Sequence, residues 1–423
     1  MKTHFLIILL ALLPQLTTAQ TTNQIMVGHI DSLQSKILRE KRKIWVHLPE
    51  SYSTGVYAKQ RYPVVYLLDG DAHFSSVAGM IDYLSSRGNA LCPEMIVVGI
   101  LNTDRMHDLT PGVPSDTIIR KFMPTAGGGE AFTSFIETEL MPYIEAHYPT
   151  QPYNLLIGHS LGGLMVVNTL LHRPKLFNAY IAIDPSIWWE AGKLLAETKQ
   201  ALASKTYPNQ AFYLGFSNLK PAEMSLEQAR TDTTDRTKSI RQLLTLLDAL
   251  TTNKQNGLLA DGKFYPDDDH LSVPLITEYD AIRFMFSRYK MPFSQEELFN
   301  PAFNTDSAFV AHYKEVSRWM GYAMLPPESL VNQWAYTYLQ NGPVFQAKAE
   351  ALFRANLKNY PQSPNVYDSM GDYYLAQKDT TNAIANFKKA LALKEITETR
   401  KKLTDLLAKT SPVPVANRPK NKL

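Results

Sequence analysis

A chain of 423 residues, 45% of them hydrophobic and 20% charged, is long enough for two or three domains and can bury substantial cores. The formal net charge is +3, with Lys and Arg scattered and no basic stripe, which argues against nucleic acid as a partner. The single cysteine, Cys92, excludes an intrachain disulfide and reads as a small buried hydrophobe.

In chain order, Lys2 precedes an apolar run over 5–13 and small residues at Thr17, Thr18 and Ala19. This is the order of a secretory signal, too short to span a membrane. A leader over 1–19, an exported (periplasmic or secreted) mature protein and no membrane span are therefore expected. Alternating residues over 42–52, ending near Pro49, predict an outer strand. The β-branched runs 62–71 and 95–100 predict strands buried on two faces, as in a parallel sheet. Helical spacing covers 75–86 and 130–148, the latter with an expected kink at Pro142. A strand over 153–158 leads into a helix to about His172, further strands are expected over 179–185 and 211–217, with a helix over 232–252, and 262–270 reads as a last strand running into an acidic loop. Strands alternating with helices predict a doubly wound α/β sheet over 20–291.

Beyond that, 292–327 is a mixed aromatic stretch expected to be a connecting segment. The rest is helical. An offset of 34 residues aligns Ala349 with Ala383 and Phe353 with Phe387, and Tyr367, Met370, Gly371, Tyr374 and Ala390 complete a tetratricopeptide spacing. A small all-α tetratricopeptide-like region is expected over 328–410, able to bind a protein partner or self-associate. The Pro- and Lys-rich tail 411–423 reads as disordered.

Gly158-His159-Ser160-Leu161-Gly162 fits G-x-S-x-G. Standing between an apolar strand and a helix, it has the setting of a nucleophile elbow, where only small neighbours permit the strained turn. A serine needs a base. Only His172, His270 and His312 follow it. His172 ends the helix after the serine and His312 lies in the connecting segment, so His270, in the loop after the last strand, is the candidate. The acid is expected after strand 211–217, with Glu223 first and Glu227, Asp232 and Asp235 as alternatives; a dyad stays open. The run Asp267-Asp268-Asp269 reads as a solvated acidic loop rather than a metal site. The oxyanion donors are expected to be the amide of Leu161 and that of Asp71 or Ala72, after strand 62–71. Arg105 could bind a carboxylate or make a structural ion pair. Trp188 and Trp189 could stack on a substrate ring, with at least one of them in the core.

Several stretches together resemble the putative esterase family related to esterase D, and most closely its enterobactin-esterase-like branch. They are RKIWVHLPESY, YPVVYLLDGDAHF, VVGILNTDRMHDLTP, LLIGHSLGGL, LFNAYIAIDPSIWW and DDDHLSVPLITEYDAIRFMF. The resemblance implies an α/β-hydrolase fold and ester hydrolysis without metal or cofactor, with Ser160 as nucleophile and His270 as base. The substrate would be a small-molecule or glycan ester. The chain departs at Asp184, where the family usually has serine, which bears on substrate preference. An acyltransferase on the same site, and a repeat-mediated binding protein with a vestigial hydrolase domain, are the alternatives.

Overall fold

The computed structural model describes residues 25–53, 57–86 and 90–410; the expected signal over 1–19 and the tail 411–423 lie outside them. Eight strands form one sheet: β1 (His29–Gln34), β2 (Lys41–His47), β3 (Tyr62–Leu67), β4 (Ile96–Ile100), β5 (Thr150–His159), β6 (Ala179–Ile183), β7 (Ala211–Ser217) and β8 (Leu259–Tyr265). Their spatial order is β1-β2-β4-β3-β5-β6-β7-β8. The sheet is parallel from β4 to β8 and antiparallel where β2 meets β1 and β4. This is an α/β-hydrolase arrangement followed by an all-α region.

The central strands are buried on both faces, which is why they read as unbroken apolar runs. Along β3, Val64 and Tyr66 enter one core and Val65 and Leu67 the other. Helices cover both faces of the sheet, among them a helical run over 129–147 whose Phe132, Phe135, Ile136, Leu140 and Ile144 enter the first core. On one face lie α2 (Leu161–His172), α3 (Trp189–Ser204) and α4 (Lys238–Thr252). On the other lie α1 (Gly70–Ser85), α5 (Val273–Met285) and α6 (Thr305–Met320). Every residue of α2 from Leu161 to Leu171 is buried, as expected of a helix that is apolar all round.

The structure departs from the expectations in four places. β1 was not anticipated: along it only Leu33 is buried, so it carries no apolar alternation. β2 ends at His47, and Glu50–Ser53 form a short helix after Pro49. Pro142 makes no sharp kink; Gly129–Phe135 continues through a π-helical turn, Ile136–Leu140, into Met141–His147. Proline has no N–H to donate and its ring crowds the preceding turn, and the widened turn accommodates both. Finally, the connecting segment contains α6, whose Tyr313, Val316 and Met320 are almost fully buried in the sheet's second core. That helix belongs to the hydrolase core.

The remaining helices pack as neighbours in chain order: α7 (Glu328–Gln340) with α8 (Gln346–Asn359), α9 (Pro364–Ala376) with α10 (Thr380–Leu393), then α11 (Thr397–Thr410). Gly371 matters here, because a Cβ on it would lie 2.5 Å from the Phe387 ring. The bare backbone lets α9 and α10 approach. Glu328, 1% exposed, joins this region to the hydrolase. One carboxylate oxygen accepts from Ser363 Oγ at 2.8 Å and Asn365 Nδ2 at 3.0 Å. The other accepts from the Ala58 amide at 2.8 Å. Glu328→Ala would leave three donors without their acceptor, and such losses cost about 1–3 kcal/mol each before relaxation. We expect a net loss of about 2–4 kcal/mol in urea unfolding, with Glu328→Gln intermediate.

Candidate active site

The site is assembled at the C-terminal ends of β3, β5 and β6, each of which turns through a non-glycine residue of positive φ: Asp69 (52°), Ser160 (59°) and Asp184 (44°). At Ser160 the strand β5 passes directly into α2. Gly158 has to be glycine, since a Cβ there would sit 2.4 Å from the Gly162 carbonyl oxygen. The turn is pinned to the exit of β6. The Ser160 amide donates to the Ile183 carbonyl at 2.9 Å, and the Ser186 amide to the Ser160 carbonyl at 3.0 Å.

Three side chains form a hydrogen-bonded line. Ser160 Oγ lies 3.1 Å from His270 Nε2, and His270 Nδ1 lies 2.8 Å from Asp184 Oδ2. An ionised carboxylate only accepts. Against it Nδ1 carries the proton, and Nε2 faces Ser160 as an acceptor. The Asp184 side chain has no exposed surface. Ser217 Oγ donates to its Oδ2 at 2.5 Å and the Ser217 amide to its Oδ1 at 3.4 Å. Asp184 thus stands one strand nearer the serine than the position after β7 where the acid was expected.

Glu223 is not brought to His270. It is exposed and paired with Arg236. Asp232 binds the hydroxyls of Thr234 and Thr237. In the acidic loop, Asp269 Oδ1 accepts from the amides of Leu271 and Ser272 at 2.8 and 2.9 Å. Asn218 ties the loop to the end of β7 through the carbonyls of Pro266 and Asp268, so its hydrogen bonds hold His270 in place. The other two histidines lie in different bonds: His172 beside Glu197 at 4.0 Å, and His312 on the Tyr289 carbonyl at 3.0 Å. Among the described residues no group of three or more His, Cys, Asp or Glu could hold a metal ion.

The Leu161 amide opens α2, where helix N–H groups lack intrahelical partners. Of the other two candidates, the Ala72 amide donates to the Asp69 carbonyl at 2.9 Å, which leaves Asp71. Arg105 does not offer its fork to a ligand: Nε and one terminal nitrogen grip Asp69 at 2.7 and 2.8 Å, and Asn102 adds a bond of 2.7 Å to the same carboxylate. The guanidinium fixes the turn after β3, in a bidentate geometry that Lys could not copy. Trp189 is 1% exposed, with its indole N–H on the Gly112 carbonyl at 3.2 Å, and belongs to the core. Trp188 lines a cavity of about 250 Å³ together with Ser160, Asp184, Ser186, Gln242 and His270.

Beneath His270 lie titratable groups that sequence reasoning did not single out. The His159 ring is 4.5 Å from that of His270, and burial, with His270 adding to it, depresses its pKa to about 4. It is neutral at physiological pH. His73 packs edge-on against His159 and lies 3.9 Å from Glu278. Glu278 is 1% exposed with no hydrogen-bond partner on either oxygen, and burial pushes its carboxyl up to about 8. Between the ordinary carboxylate range and pH 8 the folded state therefore binds a proton at Glu278 that the unfolded chain has released. Stability contributed by this group is complete at acid pH and is lost as pH rises through about 8. Urea unfolding from pH 5 to 8.5 should show the wild type losing stability relative to Glu278→Gln as pH increases.

A family model described as "Putative esterase" matches residues 35–249. The ferri-bacillibactin esterase of Bacillus subtilis is 30% identical over 238 residues, covering 53% of this chain and 78% of the relative. The siderophore enterobactin esterase of Emericella nidulans is 29% identical over 241 residues, covering 49% and 77%. An IroE-like serine hydrolase from Shewanella oneidensis superposes with a TM-score of 0.65 at 27% identity, over 78% of this chain and 99% of that one. An uncharacterised protein from Capnocytophaga ochracea, 17% identical with a TM-score of 0.54, shares the fold over 90% of this chain and 99% of its own.

Proposed function

Because the chain belongs to the putative esterase family and is a carboxylic ester hydrolase, we propose that Ser160, His270 and Asp184 are its nucleophile, base and orienting acid. Ser160 Oγ attacks the ester carbonyl as His270 Nε2 takes its proton. The developing oxyanion is held by the amides of Leu161 and Asp71. When the ester C–O bond breaks, His270 returns the proton to the leaving alcohol. Water, deprotonated by the same nitrogen, then cleaves the acyl-serine and regenerates Ser160. Asp184 keeps the imidazole in the tautomer that accepts at Nε2 and stabilises the imidazolium. The observation that carries this reading is the unbroken line of 3.1 and 2.8 Å contacts ending on a fully buried carboxylate.

The substrate we infer is a siderophore ester, on the likeness to the two siderophore esterases. Export rests on the order of residues over 1–19, and the tetratricopeptide-like reading of α7–α11 on the 34-residue offset. No helix among the described residues is long and apolar enough to cross a membrane.

The test is kinetic. With p-nitrophenyl acetate, Ser160→Ala and His270→Ala should fall to the background rate. Asp184→Asn should lose about 10⁴-fold in kcat, the loss seen when a triad acid is neutralised. Glu223→Gln should match the wild type. Full activity in Asp184→Asn together with its loss in Glu223→Gln would reverse the assignment of the acid.

A further inference from the structure

The His270 imidazole is held at its two nitrogens, by Asp184 at Nδ1 and by Ser160 at Nε2. Its side chain is 41% exposed, so the ring is not enclosed. The bond to Ser160 is also lost during the reaction. Once Oγ carries the acyl group it has no hydrogen to give, and Nε2 serves the leaving alcohol and then water. Over those steps Asp184 is the one hydrogen-bonding partner left to the ring, and a single bond at one edge leaves the ring free to tilt.

A second ring lies against it. The His159 and His270 centroids are 4.5 Å apart, with their planes inclined by 42°, at the near end of the range for aromatic contacts. His159 is the last residue of β5, directly before Ser160. Its backbone is paired with Ile183 of β6, and a terminal nitrogen of Arg105 lies 3.4 Å from its carbonyl oxygen. On its far side His73 of α1 meets the ring edge-on at 5.7 Å. The buried Nε2 of His159 has no hydrogen-bond partner, so that nitrogen does not anchor the ring, whereas its neighbours' rings enclose it. Burial, with His270 adding to it, keeps His159 neutral above about pH 4. The imidazolium that forms on His270 therefore meets no second positive charge beneath it.

We propose that His159 is a positioning residue for the base: its flat ring supports the His270 imidazole from the strand that carries Ser160, and keeps Nε2 aimed at the reacting oxygens once the bond to the serine hydroxyl is gone. This rests on the assignment of Ser160, His270 and Asp184 made above. Misplacing a catalytic group by about 1 Å costs about 10²-fold in rate. Both acylation and deacylation use the same Nε2, so loss of the ring slows both and leaves substrate binding as it is.

The test compares His159→Ala, His159→Asn and His159→Phe with the wild type. It reads kcat and KM with p-nitrophenyl acetate and the rate of fluorophosphonate labelling at Ser160, with urea unfolding to show which variants are folded. His159→Ala and His159→Asn should lose about 10–100-fold in kcat with KM within about twofold, and should label more slowly by a similar factor. His159→Phe restores a flat ring without nitrogen and should recover most of both rates. Wild-type kcat in folded His159→Ala or His159→Asn overturns the proposal. So does a loss confined to KM, or a loss in folded His159→Phe as deep as that in His159→Ala. If the wild type neither turns over the ester nor labels at Ser160, the triad assignment itself fails and takes this inference with it. Turnover and labelling that are present in the wild type and unchanged in the alanine and asparagine variants remove the His159 role alone.

Discussion

A carboxylate with no exposed surface holds this site together. Burying the Asp184 side chain is costly unless its oxygens are bonded, and the fold supplies the bonds from two directions. Ser217 donates from the end of β7, and His270 donates from the loop after β8. The Asp184 amide in turn donates to the Gly215 carbonyl at 2.7 Å. Parallel pairing of β6 with β7, Ile183 opposite Gly215, brings the carboxylate and its serine partner together. A register slip would turn these side chains to the other face. The sheet, more than the loops, therefore sets where His270 can sit.

The same economy appears at each strand exit. Positive φ at a non-glycine residue costs about 1–3 kcal/mol, and Asp69, Ser160 and Asp184 each bear it. Each is held by neighbours that over-determine it. Arg105 and Asn102 clamp Asp69; Ile183 and Ser186 bracket Ser160; Gly215 and Ser217 fix Asp184. Beneath them the neutral His159 and the buried Glu278 form an underside that stays uncharged near neutral pH.

Much of this was legible in the residues. The two-faced strands announced themselves as β-branched runs, because burial on both sides removes the need for polar alternation. The glycine-flanked Ser160 stood where an apolar strand becomes a helix, and His270 was the histidine that no other element claimed. What the sequence hid has physical reasons. β1 buries a single residue, Leu33, along its length, and an edge strand of that kind has no pattern. α6 is amphipathic but opens on Asn304 and Thr305 in an aromatic stretch, so its apolar face does not stand out from the aromatics around it. Chain order alone put the acid after β7 and pointed to Glu223. Asp184 drew notice only as a departure from serine, because the partners that show its use, Ser217 and His270, are 33 and 86 residues away. Arg105 had two equally good readings until Asp69 was seen in its fork.

The most direct test of the Ser160–His270–Asp184 line is to treat the folded protein with a fluorophosphonate and map the adduct by peptide mass spectrometry. One adduct on the peptide that holds Ser160, absent from the His270→Ala variant, is the predicted result. A folded wild type that carries no adduct, or carries it on the neighbouring Ser186, would contradict the assignment.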